Sequence, residues 1–369
     1  MPTAFSLALR DGRLHDALAR AGVALRSLAE SPDRAVRQAH FDHSVSGFWR
    51  QGGNLPPLIA RSRGADLRIV GLTVIDTVQA AFVLPDSPIR TAADLAGRRL
   101  GIPHRVGDPL DFWRASVLRG YERILASAGL SLGDVELIEI PVQRHWIDGA
   151  AGATAADAAA PLWDAIGTWS HQREELIALA TGDVDAFYSD GTLAPVPAAV
   201  LGARPITAAP APASAASAPA SVASAPASVA SAPAALPANG CVPLALSCSA
   251  SLIEQRPELV ELVLEHVVEA AAWAAREAAA ARTLVAAETG LPEQLLTLGY
   301  GADLHRQLGI ELTPQALDAL AGQIDFLRRN DFLAEPYELA DVVAPEPLQR
   351  VTARRTAIAT AAAATAAAA

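Results

Sequence analysis

Apolar runs alternate with amphipathic stretches along most of the chain. The short apolar runs predict β-strands at 67–72, 79–84, 99–102, 135–140 and 183–188. Apolar residues at helical spacing predict helices at 4–29, with a break near Gly22, and at 112–128, 163–180, 256–282 and 324–333. Strands that alternate with helices are typical of an α/β fold with a parallel sheet, in which ligands bind at the carboxyl ends of the strands.

Two segments interrupt this pattern. Residues 207–240 are dominated by Ala, Pro and Ser and cannot bury enough apolar area to offset their ordering entropy, so we expect a disordered insert. Residues 356–369 are an Ala/Thr tail without a packing face, which indicates a disordered or frayed end. A length of 369 residues suits two lobes, and we assign 1–86 plus 241–350 to the first and 87–206 to the second.

The charge balance excludes two classes of partner. A net charge of −11 and a pI near 5.2 argue against nucleic acid, which requires clustered Lys and Arg. Outside the alanine-rich segments, no apolar stretch free of charge and proline is long enough to insert into a membrane. The chain contains no lysine, so every fixed side-chain cation is an arginine, whose planar fork suits oxyanions.

The amino terminus lacks a basic region followed by a long apolar segment and a cleavage site, which predicts a cytoplasmic protein. A doubly wound lobe normally begins with a strand, and none precedes the first predicted helix. We therefore expect the true start to lie upstream of Met1, and a signal in that segment would place the protein in the periplasm. Cys241 and Cys248 belong to no CxxC or Cys/His set, so we expect small buried hydrophobic side chains.

The segment 40–58 concentrates groups that suit an oxyanion. It holds His40, Arg50, a Gly-Gly pair at 52–53 and a Pro-Pro stop. Glycine amides beside an arginine complement distributed negative charge, and His40 adds a proton donor near neutral pH. The segment therefore predicts an oxyanion pocket around a flexible Gly-Gly turn, and the alternative is an ordinary polar loop.

Other patterns in the sequence indicate structural roles rather than metal binding or catalysis. His40 and His43 lie three residues apart, but no third ligand completes a metal site, so we expect no metal. The G-x-S-x-G string at 129–133 follows a helix and precedes a strand, the reverse of a hydrolase nucleophile elbow, and indicates a helix cap followed by a turn. Packing is the expected role of Trp146, Trp163, Trp169 and Trp273.

At 40–58 the sequence resembles the 2'-hydroxybiphenyl-2-sulfinate desulfinases of bacterial dibenzothiophene desulfurisation. In that family a histidine, an arginine and the second glycine of an Arg-x-Gly-Gly string line the active site, and His40, Arg50 and Gly53 match these positions without gaps. The resemblance to the desulfinases continues at 86–89, 93–101, 113–114, 134–137, 182–186, 202–205 and 255–257. Several of these matches, especially those at 93–101 and 182–186, are shared with the wider sulfonate, nitrate and taurine binding proteins of ABC importers.

The resemblance implies the two-lobed α/β fold of type II periplasmic binding proteins, with a cleft between the lobes, and a monomer. It also implies hydrolysis of an aromatic carbon–sulfur bond, releasing sulfite from an aryl sulfinate without a cofactor. His40 would assist proton transfer, while Arg50 and the Gly53 amide would hold the sulfinate oxygens. The substrate-binding residues expected around them are Phe41, Gly52, Tyr121, Tyr188 and Ser189.

The chain departs from the family in one respect. The reactive cysteine of the family lies near the amino terminus and matches neither Cys241 nor Cys248, so we expect it upstream of Met1. One alternative is a solute-binding protein for sulfonate-, nitrate- or taurine-like anions, which would serve an importer permease. Another is an inactive paralogue, which the low-complexity insert and tail favour.

Overall fold

The computed structural model of the protein describes residues 1–28, 30–143, 145, 170–207 and 240–368. The insert expected at 207–240 lies outside these residues except for its two ends, as does the first part of the helix expected at 163–180. Trp146, Trp163 and Trp169 also lie outside them. Within the described ranges, no helix combines the length and the apolar character needed to cross a membrane.

The elements follow one another as strands and helices of ordinary length. The strands are β1 (Trp49–Gly53), β2 (Arg68–Thr77), β3 (Gln79–Val83), β4 (Arg99–Arg105), β5 (Glu136–Val142), β6 (Ala186–Asp190), β7 (Arg204–Ile206) and β8 (Gly240–Cys248). The helices are α1 (Ala4–Arg10), α2 (Arg13–Arg20), α3 (Arg34–Asp42), α4 (Leu55–Ser62), α5 (Phe112–Ala126), α6 (Arg173–Thr181), α7 (Pro195–Leu201), α8 (Ala250–Gln255), α9 (Pro257–Arg276), α10 (Ala278–Thr289), α11 (Glu293–Tyr300), α12 (Pro314–Arg329) and α13 (Glu346–Ala368).

The first sheet has three antiparallel strands in the order β1-β8-β2. Side chains alternate between its faces, so Leu244 and Leu246 of β8 pack into one apolar cluster and Ala245 into another. The first cluster includes side chains of α1 and α9, and the second includes side chains of α4 and α12. Both faces of the sheet are therefore buried, and β8 forms the centre of the first lobe.

The second sheet has five strands in the order β5-β4-β6-β3-β7. β4 runs parallel to β5 and β6, whereas β3 is antiparallel to β6 and β7. The expectation of parallel pairing is thus correct for β4, β5 and β6 and wrong for the remaining strands. β3 alone runs against the other strands of this sheet, and both antiparallel ladders are its own, because it lies between β6 and β7.

The chain passes from the first sheet to the second at Val78. The backbone N–H of Gly191 donates to the Val78 carbonyl at 2.9 Å, and the Val78 N–H donates to the Gly299 carbonyl at 3.0 Å. Residues 79–84 fall within the predicted first lobe, but β3 hydrogen-bonds within the second sheet. The other lobe limits stay predictions.

Two long predicted helices are divided in the structure. The helix expected at 4–29 is α1 and α2, separated at Asp11 and Gly12, and Gly12 has a φ of 77° that a continuing helix does not allow. The residues that follow α2 are not helical. The helix expected at 256–282 is likewise α9 and α10, which meet at Glu277.

The carboxyl-terminal tail is helical as far as the structure describes it. α13 runs to Ala368, and its first turns are fixed because Leu348 and Val351 are buried in the first lobe. Arg354 of α13 also pairs with Glu261 of α9 at 3.0 Å. The exposed Ala/Thr end therefore extends a helix that is anchored by packing at its beginning.

Substituting alanine for Gly120 should test the packing of the second lobe. A Cβ at Gly120 in α5 would lie 2.1 Å from the buried ring of Tyr188, whereas a Cβ at Gly322 in α12 would meet open space. We expect Gly120→Ala to lower the free energy of unfolding by roughly 1–3 kcal/mol, because overpacking outweighs a gain of about 1 kcal/mol in helix propensity. The control, Gly322→Ala, should show only the gain in helix propensity and therefore a higher free energy of unfolding. Urea denaturation measures both, and equal stabilisation of the two variants would contradict this packing.

Candidate functional site

The predicted site residues of the 40–58 segment lie on one helix and one strand of the first lobe. Asp33 caps α3, where its carboxylate accepts the Ala35 N–H at 2.8 Å, and the helix carries His40 in its last turn. Arg50, Gly52 and Gly53 lie on β1. The expected flexible Gly-Gly turn is wrong, because neither glycine has a positive φ and both are paired with β8.

The two glycines provide space for the neighbouring side chains. Residues two apart on a strand share a face, and a Cβ at Gly52 would lie 3.2 Å from Nη2 of Arg50. The guanidinium therefore lies directly over Gly52. At Gly53, the nearest atom to a Cβ would be Sδ of Met1, at 3.9 Å. A larger residue at position 52 would push the guanidinium away from the strand.

Arg50 is a buried cation without a carboxylate partner among the described residues. Its side chain is 6% exposed, and Nη1 donates to the Gly53 carbonyl at 2.8 Å. Nε meets no hydrogen-bond acceptor in the part of the chain that the structure describes, and burial lowers the pKa of the guanidinium to about 9. An uncompensated buried charge is unfavourable, so this position attracts an anion.

His40 lies close enough to Arg50 for the two groups to influence each other's charge. His40 is an exposed residue at the end of α3. Desolvation, followed by the charges of Arg50 and His43, holds the pKa of His40 well below its ordinary value. His40 is therefore neutral near pH 7 and able to accept a proton.

Phe41 connects this cluster to the second lobe. It is buried, its ring meets the His40 ring edge-on at 4.8 Å, and it stacks on Phe112 at the start of α5 at 5.3 Å. Ser116 lies one turn further along α5 and donates to the Asp190 carboxylate at 3.3 Å. The two lobes thus meet next to His40.

The remaining predicted site residues lie inside the second lobe, away from Arg50. Tyr121 is fully buried and donates its hydroxyl to the Gly101 carbonyl at 2.8 Å. Tyr188 packs edge-on against Tyr121 with ring centroids 6.0 Å apart, and Ser189 donates to the Gln172 side chain at 2.6 Å. These side chains are already satisfied by protein groups and have almost no exposed surface. Tyr121, Tyr188 and Ser189 therefore lie outside the group that the structure brings together. That group consists of His40, Phe41, Arg50, Gly52 and Gly53.

Two residues of the site have no signal in the sequence that identifies them. Ser247 lies opposite Arg50 in the β1–β8 register and donates to the Arg50 carbonyl at 3.3 Å. Gln51 accepts the N–H of Phe5 at 2.9 Å and donates to Thr73 at 2.9 Å, which fixes the start of α1 beside β1. The contact between Ser247 and Arg50 depends on a strand pairing that links residues 197 positions apart, and the contacts of Gln51 join residues 46 and 22 positions apart.

Cys248 is not suited to nucleophilic chemistry. Its side chain is fully buried, and burial raises the pKa of the thiol to about 12. This agrees with the expected role as a small hydrophobic side chain. The structure does not describe the side chain of Cys241.

Comparisons with known proteins agree on one family. The NMT1/THI5 like family model matches residues 21–194. The 2'-hydroxybiphenyl-2-sulfinate desulfinase of Rhodococcus erythropolis is 31% identical over 330 residues, covering 83% of this chain and 81% of the relative. A crystal structure of a cysteine-to-serine mutant of DSZB in complex with biphenyl-2-sulfinic acid is 29% identical, with a TM-score of 0.70 and coverage of 96% of each chain.

The fold extends to proteins that bind sulfonates. The alkanesulfonate-binding protein SsuA of Xanthomonas axonopodis pv. citri, bound to MOPS, matches with a TM-score of 0.54 at 20% identity, covering 93% of this chain and 94% of that protein. This similarity confirms the two-lobed α/β fold of periplasmic binding proteins. The identity to the Rhodococcus enzyme shows that the chain belongs to the family of 2'-hydroxybiphenyl-2-sulfinate desulfinases.

Proposed function

We propose that the protein hydrolyses the carbon–sulfur bond of an aryl sulfinate and releases sulfite. The observation that carries the proposal is the buried Arg50 cation, which has no carboxylate partner among the described residues and lies beside the solvent-accessible, neutral His40. Family membership supplies the reaction class. An arene sulfinate plus water gives the arene plus hydrogen sulfite, so atoms and charge balance without a cofactor.

Arg50 and Gly53 would hold the sulfinate. The guanidinium keeps its Nε–H unpaired, and a planar cation can bind two oxygens of one anion. We assign the amide of Gly53 as a further donor to a sulfinate oxygen. The anion would also compensate the buried charge of Arg50, and this compensation strongly favours binding.

His40 would move the proton. The reaction leaves the electron pair of the carbon–sulfur bond on the aromatic carbon, which must then take up a proton. A bound sulfinate offsets the charge of Arg50, so the pKa of His40 rises towards its ordinary value in the complex. His40 can then accept a proton from the attacking nucleophile and pass it to the carbon.

The group that attacks sulfur would approach beside Gly53. Cys248 is excluded by its burial, and the resemblance implies a cysteine near the amino terminus. Sδ of Met1 lies beside Gly53, so the amino-terminal segment reaches the site we propose for the sulfinate. A cysteine thiol of the kind that the resemblance implies, or a water molecule, would give its proton to His40 and form the new bond to sulfur as the bond to carbon breaks. After attack by a thiol, water would cleave the new sulfur–sulfur bond, which releases hydrogen sulfite and restores the thiol.

A solute-binding role is the second candidate function. It is favoured by the fold shared with SsuA and by the buried Arg50, which has no carboxylate partner among the described residues and suits a small sulfur oxyanion. Under this alternative an importer permease would be the partner.

The enzyme proposed above would be a monomer in the cytoplasm. Light scattering of the purified protein tests its oligomeric state.

Sulfite release from biphenyl-2-sulfinate distinguishes the two functions. We would assay the 369-residue chain and a version extended to the next upstream in-frame start. Release by either protein supports the desulfinase, and release by the extended protein alone assigns the attacking group to the added segment. Binding without release in both proteins would favour the solute-binding role.

The substitution Arg50→Met should weaken ligand binding without lowering the stability of the protein. We expect affinity for biphenyl-2-sulfinate to fall by about 100-fold or more, because the buried anion loses its cation. The free energy of unfolding of the ligand-free protein should stay constant or rise by about 1 kcal/mol, because a buried unpaired charge is removed. Calorimetry and chemical denaturation measure the two effects, with Arg276→Met on the exposed surface of α9 as the control. Undiminished affinity in Arg50→Met would remove Arg50 from the site.

His40 should link binding to protonation. The free protein keeps His40 neutral, and the bound anion raises its pKa, so the complex holds more protons than its components. Affinity for the sulfinate should therefore increase as the pH falls from about 8 to about 5, within the range where His titrates. His40→Gln should flatten this dependence and lower kcat more than it raises KM. The same slope in His40→Gln and in the unsubstituted protein would assign the proton to another group.

A further inference from the structure

A buried polar bridge joins the helix that carries His40 to the strands that carry Arg50. We call it the His43–Ser247 bridge. The Nδ1 atom of His43 lies 3.1 Å from the Phe41 carbonyl, and Nε2 lies 3.5 Å from the Ser247 hydroxyl. Ser247 also reaches the Arg50 carbonyl at 3.3 Å. His43 is 4% exposed and Ser247 is fully buried, so neither side chain depends on solvent for these contacts.

The protonation state of His43 follows from its partners. Burial, with a smaller effect of Arg50, lowers the pKa of the imidazole to about 3, so the ring is neutral at any pH near 7. A carbonyl oxygen can only accept, so the single ring proton lies on Nδ1, facing Phe41. Nε2 is then a bare acceptor. The one hydroxyl proton of Ser247 faces two acceptors, Nε2 and the Arg50 carbonyl.

The backbone of His43 is also held in an unusual conformation. His43 has a φ of 56°, and within the described ranges Asp331 is the other non-glycine residue with a positive φ. This conformation is unfavourable for a residue with a Cβ and persists only where its surroundings fix it. The ring of His43 meets that of Phe48 edge-on at 4.8 Å, which holds the third side of the imidazole. α3 therefore ends at a fixed position, shortly after His40.

We infer that His43 is a positioning residue that sets His40 at its distance from Arg50 through Ser247. The inference rests on the function proposed above, in which Arg50 holds the sulfinate and His40 moves the proton. Arg50 has its own local anchor, the bond from Nη1 to the Gly53 carbonyl. Loss of the bridge should therefore displace His40 while leaving the anion-binding guanidinium in place.

Two substitutions break the bridge from opposite ends. Ser247→Ala removes the hydroxyl, and His43→Asn removes the acceptor while its amide can still donate to Phe41 and its backbone tolerates a positive φ. We expect each to lower kcat for biphenyl-2-sulfinate by about tenfold with KM within about twofold, and the double variant to lose no more than either single variant. Ser62→Ala in α4 is the control, because it removes a buried hydroxyl that donates to the Ile59 carbonyl and accepts the Ala334 N–H, neither of which belongs to the bridge. Its kcat should not change.

A second measurement does not depend on turnover. Nuclear magnetic resonance of the His40 ring in Ser247→Ala should show its pKa moving towards the ordinary value, because His40 moves away from Arg50 while His43 is retained. An unchanged His40 pKa and unchanged kcat in folded Ser247→Ala would overturn the inference, whether or not His43→Asn folds. If even the unsubstituted protein releases no sulfite, the proposed function fails, and the His40 pKa still decides whether the bridge positions His40.

Discussion

The buried charge of Arg50 is the constraint on which the rest of the site depends. A guanidinium that is 6% exposed and has no carboxylate partner in the described part of the chain is unfavourable in the free protein. The surrounding structure limits that cost in small ways. The Gly53 carbonyl accepts one of its hydrogen bonds, and Gly52 provides a face without a Cβ against which it lies. The positive charge of Arg50 that the protein leaves uncompensated favours an anion at this position.

This charge adds to the desolvation that lowers the pKa of both histidines. His40 and His43 are held neutral by desolvation and by the same cation, but with different results. His40 keeps contact with solvent, so a bound anion can return its pKa to the range useful for proton transfer. His43 is sealed between Phe41, Phe48 and Ser247 and remains neutral. In the function proposed above, His40 would act as the proton carrier and His43 as the support behind it.

The antiparallel sheet makes this arrangement possible. β8 follows the whole second lobe in the chain and returns to lie between β1 and β2. The pairing of Arg50 with Ser247 therefore joins the beginning and the later part of the chain at the site. A slip of one residue in this register would replace Ser247 with Leu246 or Cys248 and turn its side chain to the opposite face, since strand side chains alternate. The stability of the first lobe and the geometry of the site depend on the same register.

The sequence by itself determined the α/β class, most strands of the second sheet, the absence of lysine and the group of His40, Arg50 and Gly53, because these depend on local periodicity and on a compact motif. It did not determine the break at Gly12, the strand character of Gly52 and Gly53, or the burial of Tyr121 and Tyr188. Those depend on long-range packing: Gly52 lies in a strand because β8 pairs with it, and Tyr121 is satisfied by the Gly101 carbonyl of a neighbouring strand. Ser247 belongs to the site only because the register places it opposite Arg50. Hydrophobic spacing predicts which residues are buried. Only folding decides which residues lie next to them across a sheet.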